Sequence, residues 1–132
     1  MAKAVVMDIS ITHPCAASFL TDAAAAEGAA ARQREQKKMA KYGQAADAAG
    51  FRMVPAVFET FGTAGPLFKA YFKEVTKPKQ NRRSLGDEEG GESWAANTFA
   101  AFWQQRISVA LQRGNSDVIV QRAIRDAESH SE

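Results

Sequence analysis

The chain has 132 residues, which is enough for one domain with a modest core. Apolar residues make up 45% and charged residues 24%, ordinary globular values that argue against wholesale disorder, and no apolar stretch approaches the roughly 20 residues that cross a bilayer. The net charge of +2 does not by itself indicate a nucleic-acid partner. The lone Cys15 excludes an internal disulfide, and residues 1–20 lack a secretory-signal pattern. We expect an intracellular protein, cytoplasmic or nuclear, that does not associate with a membrane.

The first predicted element is a strand at residues 4–12. Apolar side chains alternate with mostly polar ones, so that one face carries Val5, Met7, Ile9 and Ile11. His13-Pro14 ends the strand, because proline donates no ladder hydrogen bond.

Alanine-rich sequence at residues 22–49 predicts a long helix that Thr21 or Asp22 caps and Gly50 ends, with Gly28 and Gly43 as weak points. Residues 51–59, FRMVPAVFE, predict a second strand, in which Pro55 favours an edge or a bulge. Two strands joined by a helical crossover are expected to be parallel neighbours in one sheet.

Two glycines and Pro66 then predict a turn and a helix to about residue 75. We expect residues 1–76 to form an α/β core of strand, long helix, strand and helix. Residues 77–92 read as a flexible charged linker, and residues 93–128 as a C-terminal helical pair with a break at Gly114. Ser93 caps the first helix of this pair, and Asn115 or Ser116 caps the second.

Two carboxylates are candidate metal ligands. Asp8 lies inside a strand, where an acid is disfavoured unless something compensates for it, and Glu59 ends the neighbouring strand. Around Mg²⁺ or Mn²⁺ they would stabilise charge on a scissile phosphate. The alternatives are an exposed acid or an ion pair with Lys38 or Lys41 for Asp8, and a hydrogen bond to the following turn for Glu59.

The long helix carries a charged face. Glu35, Lys38, Lys41 and Tyr42 lie three or four residues apart, with Lys37 adjacent. A lysine here can neutralise a phosphate during backbone cleavage, whereas the alternative is a solvated face with an ordinary pair between Glu35 and Lys38.

A basic stretch follows the second strand. It is a candidate for nonspecific phosphate binding, and the alternative is a soluble linker. Its members are Lys69, Lys73, Lys77, Lys79, Arg82 and Arg83.

Three segments carry a family resemblance: MDISITHP, KKMAKYG and VPAVFETFGTAGP. Together they resemble the distal part of the restriction-like endonuclease domain at the C-terminus of non-LTR retrotransposon polyproteins, over about residues 4–75. FWQQRISVALQRGNSDVI is similar to the final helices of reverse-transcriptase-related reading frames, over residues 93–125. The resemblance implies Asp8 as a metal ligand, Lys38 or Lys41 as the catalytic lysine and Tyr42 as a supporting residue.

One departure matters for function. The family places a further Pro-Asp acid on a preceding strand, and only seven residues precede Asp8. We therefore expect a fragment or domesticated remnant with impaired metal-dependent DNA cleavage.

Two alternatives remain open at this point. One is a non-catalytic DNA- or RNA-binding remnant. The other is a protein-interaction module whose helix at residues 94–111, from Trp94 to Leu111, forms a homodimer or binds a partner protein.

Overall fold

The computed structural model describes residues 2–79 and 98–130. The chain divides into two units, Met1–Pro78 and Lys79–Glu132, and each is described by itself. Among the described residues, none of the helices has both the length and the apolar character needed to cross a bilayer.

The first unit contains a two-stranded parallel sheet. Strand β1 covers Ala4–Thr12 and strand β2 covers Phe51–Glu59, both with the predicted bounds. The register pairs Ala4 with Phe51 and continues to Thr12 with Glu59, so the predicted parallel pairing is confirmed. Pro55 lies opposite Asp8 in the middle of β2. It is tolerated because both strands of a two-stranded sheet are edge strands.

The connection between the strands is helical, but it is not one rod. Helix α1 covers Leu20–Ala25 and helix α2 covers Ala29–Lys38, and they are separated at Gly28, whose φ of 74° is left-handed. A π-helical turn at Met39–Gly43 leads into helix α3, Gln44–Ala48, before the chain turns at Gly50. The predicted weak point at Gly28 is therefore a break, whereas Gly43 lies inside continuous helical structure.

The chain reverses direction after β2. The Glu59 amide donates to the Thr63 carbonyl at 2.8 Å, and the Gly65 amide donates back to the Val57 carbonyl at 2.8 Å. Ala64 thus returns beside Phe58 at the edge of β2 that faces away from β1. Helix α4 then covers Pro66–Thr76, with proline at its first position as predicted, and a 3-10 turn follows at Lys77–Lys79.

Helices lie on both faces of the sheet. The face that carries Asp8 and Glu59 contacts α2, through Lys38 and through the amide of Ala31. The opposite face contacts α4, where the rings of Phe58 and Phe68 meet with centroids 4.9 Å apart. Because this helix covers β2, Val54 and Ala56 are buried at 3% and 1% exposure.

The predicted apolar row of β1 is less well covered. Ile9 is 69% exposed and Ile11 is 50% exposed, although both lie on the same sheet face as the buried Val54 and Ala56. The core of the first unit is therefore centred on β2 and the start of α2, where Ala30 and Ala31 are fully buried.

In the described part of the second unit, Phe99–Ser129 form one helix, α5, so the predicted helical pair is wrong over these residues. Thr98 caps it by accepting a hydrogen bond from the Ala101 amide at 3.1 Å. Gly114 costs only about 1 kcal/mol within a helix, which the surrounding turns outweigh. Ser116 does not cap a new helix, because its hydroxyl donates to the Gln112 carbonyl at 3.0 Å. The predicted linker from residue 80 onward, the Ser93 cap and Trp94 lie outside the described residues.

Candidate functional site

An ion pair between β1 and α2 forms the centre of the candidate site. Lys38 Nζ lies 2.5 Å from Asp8 Oδ2, although the two residues are 30 positions apart in sequence. The Lys38 side chain is 13% exposed and the Asp8 side chain 33%, so the pair is partly withdrawn from solvent and still accessible. The structure therefore brings together a predicted metal ligand and a predicted catalytic lysine.

Strand and helix geometry explain this meeting. Side chains alternate between the two faces of a strand. The even-numbered positions of β1, including Asp8, lie on the face that α2 covers. Lys38 is the last residue of α2, one turn after the buried Glu35, and therefore shares the sheet-facing side of the helix. Among the alternatives to metal binding that the sequence left open for Asp8, the ion pair with Lys38 is the one observed.

Lys41 and Tyr42 lie in the π-helical turn that follows α2. Lys41 Nζ lies 4.9 Å from the centroid of the Tyr42 ring, and a hydrogen bond with Tyr42 raises the pKa of the Lys41 ammonium. Both side chains are exposed. Single-turn π segments occur frequently at functional sites. In this structure Lys41 contacts Tyr42, whereas Lys38 contacts Asp8.

Glu59 is occupied with a different partner. It is 5% exposed, and its Oε1 accepts a hydrogen bond from the Ala31 amide at 3.2 Å, in the first turn of α2. Asp8 lies opposite Pro55, four residues before Glu59 on β2. At about 3.3 Å per residue, the two carboxylates are separated by about 13 Å along the strand direction. Glu59 stabilises a helix N-terminus in this structure and does not lie beside Asp8.

Glu35 has an unexpected role. It is 1% exposed, and its carboxylate accepts hydrogen bonds from the amides of Leu67 at 3.1 Å and Phe68 at 3.2 Å. These amides belong to the first turn of α4, whose donors have no partner within their own helix. Burial raises the pKa of the Glu35 carboxyl, and the hydrogen bonds from α4 and the charges of Arg32 and Lys69 oppose that shift.

The residues around Glu35 do not predict its contact with α4. The alternative in which Glu35 pairs with Lys38 on a solvated face is not observed. Nothing local in the sequence distinguishes a surface glutamate from a buried one. The one available signal was Gly65 before Pro66. Its φ of −67° suits any residue, so the glycine is required for space: a Cβ there would lie 2.1 Å from Glu35 Oε1.

Ser10 lies on the same sheet face as Asp8, two residues further along β1. Its hydroxyl is buried and has no hydrogen-bond partner in the described part of the chain. A buried hydroxyl without a hydrogen-bond partner carries a desolvation cost, so Ser10 lowers the stability of the sheet beside Asp8.

The basic stretch is partly described. Lys69, Lys73 and Lys77 are all exposed and lie four residues apart, so they form one ridge along α4 and its C-cap. We call these three residues the α4 ridge. Of the remaining predicted phosphate-binding residues, Arg82 and Arg83 lie outside the described residues, as does the side chain of Lys79.

The metal-ligand set is incomplete in the described part of the chain. No group of three or more His, Cys, Asp or Glu side chains in residues 2–79 and 98–130 could hold a metal ion. Asp8 fits Mg²⁺ as a single carboxylate ligand, since this ion is usually bound through one or two carboxylates together with waters and substrate phosphates. Glu35 and Glu59 are committed to helix N-termini.

Comparisons with known proteins do not identify the chain. No family model, no curated protein and no solved structure matches it.

Proposed function

We propose that this chain is a DNA-binding domain of the restriction-like endonuclease type, of retroelement origin, with Asp8 and Lys38 as its catalytic pair. The observation that carries this proposal is the 2.5 Å contact between Asp8 and Lys38. The resemblance implies an acid on a strand and a lysine on the next helix, and the fold places these two side chains together.

Each residue has a proposed role that its surroundings support. Lys38 neutralises a backbone phosphate that approaches Asp8, since a lysine ammonium is a compact charge with three donors. A divalent metal held by Asp8 would lower the pKa of a bound water and stabilise charge on the phosphate. Lys41 remains charged beside Tyr42 and adds a phosphate contact at the exposed end of the site.

Cleavage is expected to be weak. The described residues contain no group of three or more side chains that could hold a metal ion, and metal nucleases generally rely on several such ligands. DNA binding does not depend on the metal ligands, because the α4 ridge supplies three positive charges that attract phosphates whatever the DNA sequence. A non-catalytic DNA-binding domain is therefore the second candidate, favoured by the commitment of Glu59 to the Ala31 amide.

A nicking assay separates the two candidates. The purified protein is incubated with supercoiled plasmid and Mg²⁺ or Mn²⁺, beside Asp8→Asn, Lys38→Ala and Lys41→Ala variants. Nicking that is lost in Asp8→Asn and Lys38→Ala supports the endonuclease. Glu74→Gln is the control variant, since Glu74 is an exposed acid on α4 that pairs with Arg52.

A parallel binding titration completes the test. Salt-sensitive binding without nicking supports the non-catalytic domain. The proposal is wrong in both forms if the wild-type protein neither nicks nor binds DNA.

A further inference from the structure

Glu35 connects the two parts of the proposed DNA surface. On α2 it lies three residues before Lys38, and through its carboxylate it holds the amide of Phe68, the residue before Lys69. Glu35 thereby joins α2, which covers one face of the sheet, to the start of α4, which covers the other face. The contact lies at the edge of β2 where the chain returns. In the described part of the chain, the Glu35 carboxylate accepts three hydrogen bonds from backbone amides. The positive charges of Arg32 and Lys69 also act on it.

We propose that Glu35 is a positioning residue for DNA binding, which fixes the start of α4, and with it the α4 ridge, against α2. This inference rests on the proposed function and extends it to a residue that does not touch the ligand.

Three observations support a positioning role. The Glu35 carboxylate is buried, and both of its oxygens accept hydrogen bonds from backbone amides of α4. These bonds resist small movements of α2 relative to α4. Gly65 leaves no room for a side chain, which keeps the carboxylate in contact with the chain just before α4. Glu59 holds the first turn of α2 in the same way, so the helix that carries Glu35 is itself fixed to the end of β2.

The sign of a mutational effect distinguishes positioning from simple electrostatics. Glu35→Gln removes one negative charge, which by itself strengthens binding to a polyanion. It also replaces one acceptor oxygen with a donor that faces the Leu67 amide, which loosens α4. A positioning role therefore predicts weaker binding despite the more positive charge.

The experiment measures the affinity for a DNA duplex over a range of salt concentrations. Each phosphate contact adds about 0.9 to the slope of log affinity against log salt. In Glu35→Gln we expect weaker binding and a slope smaller by about 1 to 3, approaching that of a Lys69→Ala/Lys73→Ala/Lys77→Ala variant. Glu74→Gln makes the same charge change on an exposed part of α4 and is expected to keep the wild-type slope.

Two results would overturn the inference. If Glu35→Gln binds as tightly as Glu74→Gln with an unchanged slope, Glu35 does not position the ridge. If the wild-type protein shows no salt-dependent binding, the proposed function fails and the inference fails with it.

A measurement on the wild-type protein covers the case in which the variant does not fold. Amides in the first turn of a helix normally exchange with solvent, because they lack helical partners. We expect slow hydrogen exchange at Leu67 and Phe68, and slower exchange when a DNA duplex is bound. Exchange that DNA leaves unchanged would contradict the coupling.

Discussion

Gly65→Ala tests the packing around Glu35 more sharply than any change to the glutamate. The backbone at Gly65 is extended, with φ −67° and ψ 155°, so alanine meets no conformational strain there. Its Cβ would instead lie 2.1 Å from Glu35 Oε1 and 2.3 Å from Cδ, whereas ordinary contacts begin near 3.4 Å. The buried carboxylate must move by more than 1 Å.

The cost follows from the contacts that this movement breaks. Forcing a methyl group into a packed site costs about 1–3 kcal/mol, and losing a hydrogen bond to a charged group costs about 1.5–3 kcal/mol. We expect the free energy of unfolding of the first unit to fall by about 3 kcal/mol. Gly62→Ala is the control, since a Cβ there meets nothing within 4 Å and only the left-handed φ of 106° is unfavourable. We expect it to cost about 1 kcal/mol.

The assay is urea unfolding followed through NMR amide signals of residues 51–76. Residues 51–76 contain no tryptophan, so their amide signals are the direct probe of this region. A Gly65→Ala protein within about 0.5 kcal/mol of wild type, a difference typical of neutral surface changes, would refute the placement of the Glu35 carboxylate against Gly65.

Three further predictions concern charge and helix stability. Because burial raises the folded-state pKa of Glu35 above 4.5, the folded protein binds a proton more readily; this contribution to stability is full below pH 4.5 and disappears as the pH rises through the folded-state pKa. In urea unfolding at several pH values, Glu35→Gln should lack this pH-dependent part of the unfolding free energy. An unchanged dependence on pH would assign it to another group. Asp8→Asn and Lys38→Met should be non-additive by about 1 kcal/mol in a double-mutant cycle of unfolding free energies, since the pair is partly buried. Gly114→Ala should stabilise α5 by about 1 kcal/mol, measured by hydrogen exchange along the helix, because a Cβ there meets open space.

The strands were predictable because their signals are local. Alternation in residues 4–12 and β-branched and aromatic residues in 51–59 gave both strands with the observed bounds, and the helical connection gave their parallel pairing. Pro66 likewise marked the first position of α4.

The helices were less predictable where a single glycine decided the outcome. Gly28 adopts a left-handed φ and separates α1 from α2, whereas Gly114 stays within α5. The local cost of glycine is similar in the two cases, so tertiary and neighbouring-turn interactions decide between them. Composition alone does not contain that information.

In the candidate site, too, some contacts were predictable from the sequence and others were not. The ion pair between Asp8 and Lys38 is one of the alternatives that the sequence predicts, because a charge in a strand needs compensation. Glu59 was expected near Asp8 from the rule that parallel strands end together. The register shows why this rule did not suffice: Asp8 lies in the middle of its strand, opposite Pro55, whereas Glu59 lies at the end.

The most direct test of the account is an NMR titration of the wild-type protein with a short DNA duplex at low salt. We predict chemical-shift changes at Asp8, Lys38, Lys41 and the α4 ridge, which disappear together as the salt concentration is raised. Changes that are confined to α5, or no changes at all, would contradict the assignment of this surface to DNA.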